Sequence, residues 1–68
     1  MSKNMEKVVI FGAERYGAQA LQEIGKDKVF CFLDNDKNKW GTEYFNLPVY
    51  GINAYKEKFG QYPIYTTS

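Results

Sequence analysis

Lys7–Gly17, K-V-V-I-F-G-A-E-R-Y-G, is the stretch whose reading decides the fold. Val8 to Phe11 is an unbroken run of β-branched and aromatic residues, with a charge before it and a glycine after it. Such a run reads as a strand buried on both faces, as in a parallel sheet. Gly12 breaks the strand, and from Gly17 the apolar spacing changes. Gly17, Ala20, Leu21 and Ile24 fall at i, i+3, i+4 and i+7, one face of a helix over about Arg15 to Ile24. Strand, glycine turn and helix make the first half of a βαβ unit, the arrangement in which helix N-terminal amides point at a phosphate.

Working outward, Gly25 is a suitable left-handed C-cap, and Val29-Phe30-Cys31-Phe32-Leu33 reads as a second central strand. Asp36 to Thr42 is polar apart from Trp40. In Tyr44–Gly51 a short strand around Val49 is expected at a sheet edge, because Pro48 has no amide donor. Ile52, Tyr55, Lys56 and Phe59 share helical spacing, with Asn53 the expected N-cap and Gly60 the C-cap. Lys56 is expected to lay its stem on apolar surface. Ile64, Tyr65 and Thr66 suit a last parallel strand. The expected order is 3-2-1-4, a parallel sheet with one helix on each face and an open edge at strand four. Residues 1–6 are polar and expected to be disordered; residues 7–68 form one domain. That domain lacks the helices and strands that normally complete a doubly wound sheet, so a homodimer or docking to a downstream domain through strand four is expected.

A chain of 68 residues supports a single small core; at about 60 residues only around 60% of the unfolded surface is buried. The 18% aromatic content offsets this, since large rings bury much area per residue. Nine basic and eight acidic residues, with no basic run, give nucleic-acid binding little electrostatic support. No apolar run approaches membrane-spanning length and no signal peptide is evident, so the expected location is cytoplasmic. With no histidine and one cysteine, catalytic triads, Cys-His pairs and common zinc sets are excluded. Cys31, inside V-F-C-F-L, reads as an inert core thiol.

Gly12-Ala13-Glu14-Arg15-Tyr16-Gly17 matches G-x-G-x-x-G at its first and last glycines, with Glu14 at the middle one. The middle glycine normally lets backbone approach a pyrophosphate; a carboxylate there repels it, and the Arg15 guanidinium can offset that repulsion by forking onto phosphate oxygens. The same residues also suit a tight packing turn, with Glu14 favouring the helix dipole. Asp34 follows Gly12 by 22 positions and ends the second strand, where an acid accepts ribose hydroxyls; it equally suits a turn within D-N-D. That D-N-D-K-N run has the alternate acids of a calcium loop, but Lys39 and Phe45 stand where glycine and glutamate are required. Trp40 and the six tyrosines read either as a base-stacking platform or as core and interface filler.

V-V-I-F-G-A-x-x-x-G at Val8–Gly17, F-L-D-N-D-K-x-K-x-G at Phe32–Gly41 and L-P-V-Y-G at Leu47–Gly51 occur in that order. Together they resemble the N-terminal Rossmann-like domain of bacterial sugar acyltransferases and related polysaccharide-biosynthesis enzymes, over about residues 7–68. The resemblance implies a small three-layer α/β half-domain that binds a nucleotide or nucleotide sugar, such as a UDP-sugar, and is non-catalytic by itself. It places nucleotide contacts at Gly12, Ala13, Asp34 and Asp36, with Lys39 nearby; Glu14, Arg15 and Gly17 complete the candidate binding set. Glu14 stands where that family usually has glycine, and the family continues beyond the position of Ser68 into its catalytic portion. Two other readings stand beside it: an interaction module that kept the fold and lost the ligand, and an NAD-binding half-domain of a dehydrogenase or epimerase.

Overall fold

The computed structural model describes residues 7–12 and 14–65. The chain is a mixed α/β fold, a five-stranded sheet with two helices. Strand β1 (Val8–Phe11) leads through Gly12 into helix α1 (Glu14–Ile24). A single 3₁₀ turn, Lys26–Lys28, then feeds strand β2 (Val29–Leu33). A second such turn, Lys37–Lys39, precedes a hairpin of strands β3 (Glu43–Tyr44) and β4 (Leu47–Tyr50). Helix α2 (Ile52–Ala54) continues into a π-helical stretch, Tyr55–Phe59, and the chain enters strand β5 (Ile64–Tyr65). Thr66, expected to extend that strand, lies outside the described residues, as do residues 1–6.

The sheet order is β3-β4-β2-β1-β5, not 3-2-1-4, and the sheet is mixed rather than wholly parallel. Strands β4, β2, β1 and β5 are mutually parallel neighbours, while β3 pairs antiparallel with β4. The difference comes from the hairpin. Phe45 and Asn46 both adopt positive φ, 54° and 64°, the conformation that closes a two-residue turn between twisted strands. The chain therefore doubles back where a loop was expected, and β3 takes the edge.

That overturns the expected edge position of the Pro48 strand, since β4 has a neighbour on both sides. Proline is tolerated because successive amides alternate sides along a strand. The Val49 N–H donates to Thr42 O at 3.0 Å, on the β3 side. The missing donor of Pro48 therefore faces β2, whose pairing with β4 begins one residue later, at Phe32↔Val49.

The core lies on both faces of the sheet. On one, Ile10, Val29, Phe32 and Val49 pack with Ala20 of α1, flanked by Leu21 and Ile24. On the other, Val9, Cys31 and Leu33 meet Tyr50, Ile52, Tyr55 and Tyr62. Each helix thus covers one face. Between Val8↔Val29 and Val9↔Cys31 the register steps, leaving Phe30 as an extra residue on β2. The bulge turns both Phe30 and Cys31 toward the α2 face. There Phe30 stacks on Tyr62 (centroids 4.4 Å apart) and meets Phe59 at 5.1 Å.

Helix α2 is capped by Gly51, not by Asn53, which is exposed inside it. Gly60 is the C-cap of the π-helical stretch, in right-handed conformation at φ −61°. The wider turn keeps Tyr55 and Phe59 on the sheet and leaves Lys56 exposed instead of laid on apolar surface.

Gly17 is where α1 comes closest to the sheet. A Cβ there would stand 2.5 Å from Gly12 O and 2.8 Å from the Phe32 ring. Gly17→Ala should therefore lower stability by about 1–3 kcal/mol through overpacking. Gly60 has right-handed φ and no neighbour closer than 3.5 Å to an added Cβ, so Gly60→Ala should raise stability by about 0.4–1 kcal/mol. Urea midpoints of the two variants check this; a Gly17→Ala midpoint at or above that of the wild type would contradict the close contact.

Candidate functional site

Strands β1, β2 and β4 end side by side at Phe11, Leu33 and Tyr50, and the chain turns after each at Gly12, Asp34 and Gly51. Hydrogen bonds hold these turns together: the Gly12 N–H donates to Leu33 O (2.6 Å) and the Asp34 N–H to Tyr50 O (3.0 Å). From β1 the chain moves to β2 on one side, and it later returns to β5 on the other. In open α/β sheets ligands occupy the crevice outside the carboxyl ends of the strands at such a reversal.

Gly12 has φ 102°, a conformation that side chains resist. The ring of Tyr16, in the first turn of α1 and 40% exposed, lies against it. Glu14 and Arg15 begin α1, but Ala13 and the side chains of Glu14 and Arg15 lie outside the described residues. Gly17 has a packing role: it lets the helix rest on Gly12 and Phe32.

Asp34 is half-buried at the end of β2. Its Oδ1 accepts the Asp36 N–H at 2.8 Å and its backbone O accepts Trp40 Nε1–H at 2.7 Å. Asp36 caps the following turn, with Oδ1 accepting the Asn38 N–H at 3.0 Å, and its Oδ2 lies 3.7 Å from Lys39 Nζ. Asp34, Asp36 and Lys39 are thus gathered on one loop, where they hold the loop's shape. Gly12 and Asp34 are brought together across the β1–β2 ladder.

The contact between Trp40 and Gly51 was not legible from spacing. A Cβ on Gly51 would stand 2.7 Å from both Cε2 and Cζ2 of the indole, so a side chain there would displace Trp40. The available signal was the single tryptophan in a polar loop and a glycine directly after a strand. A depression of about 400 Å³ lies elsewhere, between α1 and the hairpin tip; Ala18, Leu21, Gln22, Lys26 and Phe45 line it. It holds one charged side chain and none of the sequence-predicted site residues.

Among the described residues, no group of three or more His, Cys, Asp or Glu could hold a metal ion, and no helix is long and apolar enough to cross a membrane. On the edge strand β5, beside Ile10 of β1, the Tyr65 hydroxyl donates to Glu23 Oε1 at 2.9 Å. That bond, followed by desolvation and the Glu23 charge, raises the tyrosine's pKa. No family model, curated protein or solved structure matches the chain.

Cys31 is fully buried, and burial pushes its thiol up from 9.0 to about 12. Between those pH values the folded chain keeps a proton that the unfolded chain has lost, so stability falls as pH rises through the window. From about pH 8 to about pH 10 the wild type should lose about 1.4 kcal/mol more than Cys31→Ala does. Urea melts of both proteins at the two pH values test this; equal losses would contradict it.

Proposed function

We propose that the chain is a Rossmann-like nucleotide- or nucleotide-sugar-binding module of a bacterial surface-polysaccharide biosynthesis enzyme, cytoplasmic and non-catalytic by itself. The observation that supports it is the pairing of two turns. Gly12, at φ 102°, opens the turn into α1, and its N–H bonds the carbonyl of Leu33, the residue before Asp34. In this reading the first amides of α1 hold a phosphate, the Arg15 guanidinium assists, and Asp34 accepts ribose hydroxyls. Asp36 and Lys39 shape the loop beside the sugar. A UDP-sugar is the preferred ligand class, ahead of NAD.

A second reading, an interaction module, is favoured by β5. Among the described residues that strand has β1 as its one neighbour and leaves Ile64 37% exposed, an edge that suits a second copy or a downstream domain.

Amide chemical-shift titrations with UDP-N-acetylglucosamine, NAD and AMP separate these readings. Saturable shifts at Gly12–Gly17 and Asp34–Asp36, largest with the UDP-sugar, are expected. Glu14→Gly should strengthen that binding about two- to fivefold by removing a like charge. An absence of shifts with all three ligands, together with a dimer in sedimentation, would favour the second reading.

A further inference from the structure

Trp40 stands on this rim beside the end of β4. It is 45% exposed, although tryptophan is highly buried on average. It is nevertheless held firmly. Its Nε1–H is bonded to Asp34 O at 2.7 Å and its benzene portion lies against Gly51, where a Cβ would not fit. The neighbouring backbone is also tied, by Trp40 N–H to Lys37 O (3.2 Å) and Gly41 N–H to Val49 O (3.0 Å). A half-exposed ring fixed by hydrogen bonding and by a glycine loses little freedom when something stacks on it.

Its position is ordered relative to the other turns. Gly12 ends β1, Asp34 ends β2, and Gly51, under the indole, ends β4, in three adjacent strands. With neighbouring strands about 4.8 Å apart, Gly12 and Gly51 are separated by about 10 Å, with Asp34 between them. Anion-binding amides, a hydroxyl acceptor and an aromatic surface therefore follow one another in the order phosphate, ribose, base.

From this order we infer that Trp40 is the stacking platform for the base of a bound nucleotide, so that the site prefers ligands carrying a planar heteroaromatic ring. The inference rests on the nucleotide-binding reading above. Aspartate, hydrogen-bonded to the platform through its own backbone carbonyl, fixes the ring relative to the sugar position. Stacking tolerates any base, since each has a π-face, so the platform selects for a base rather than for one particular base.

Trp40 is the one tryptophan, so intrinsic fluorescence excited at the red edge reports on it alone. The full chain is titrated with uridine 5′-monophosphate and with ribose 5-phosphate, which has the phosphate and sugar but no base. Both fluorescence and the Gly12 and Gly17 amide shifts are followed. The expected result is quenching by the nucleotide only, with roughly tenfold or greater preference for it over the sugar phosphate. Trp40→Leu, which keeps apolar cover over Gly51, should remove that preference while retaining the Gly12 and Gly17 shifts. Equal affinity for the two ligands, with shifts at the glycines and unchanged fluorescence, would overturn the platform and leave the nucleotide reading standing. No shifts at the glycines with either ligand would overturn both.

Discussion

The contact of α1 with the end of β1 is the constraint on which the rest of this fold depends. The helix backbone at Gly17 lies so near the Gly12 carbonyl and the Phe32 ring that no side chain fits between them. That closeness seats Ala20, Leu21 and Ile24 over Ile10, Val29, Phe32 and Val49. It also fixes the N-terminal turn of α1 relative to the carboxyl edge of the sheet. Packing and the candidate site are therefore linked: a residue that lifted the helix would weaken the core and move the first amides of α1 away from the Gly12 turn.

The opposite face is built differently, from rings. Phe30, Phe59, Tyr50 and Tyr62 make a connected set, with Tyr50 and Phe59 at 4.8 Å. Tyr55 adds a hydroxyl bond to Tyr62 O at 2.6 Å. Aromatic pairs contribute about 0.5–1.5 kcal/mol each beyond the area they bury, which matters in a chain too short for a large aliphatic core. The bulge at Phe30 and the π-helical stretch at Tyr55–Phe59 are the two departures from regular geometry that bring this set together. At the rim the device recurs on a smaller scale, with Gly51 admitting the Trp40 indole.

Much of this was legible in the sequence because it rests on local pattern. Continuous apolar runs marked β1 and β2, the i, i+3, i+4, i+7 spacing marked α1, and V-F-C-F-L marked Cys31 as buried. The hairpin was not legible. Its turn is Phe45-Asn46 rather than the usual Asn-Gly, so nothing announced residues with positive φ, and Pro48 argued for an edge that β3 occupies. Asn53 was a reasonable cap by residue type, but the helix begins earlier, at Ile52, with Gly51 as its N-cap in extended conformation. In the candidate site, the 22-residue spacing of Gly12 and Asp34 matches two turns that neighbour each other through the Gly12 N–H and Leu33 O. It could not show that Asp34, Asp36 and Lys39 engage one another and the loop backbone, because those contacts depend on how one loop folds.

The central claim is that the carboxyl edge at Gly12 and Asp34 is a nucleotide site, and a crystal structure of the chain with uridine diphosphate tests it most directly. The account predicts the diphosphate at the first turn of α1, within hydrogen-bonding distance of backbone N–H groups, and the ribose at Asp34. Uridine diphosphate seated instead in the depression beside Phe45, or a saturated crystal with the carboxyl edge empty, would contradict it.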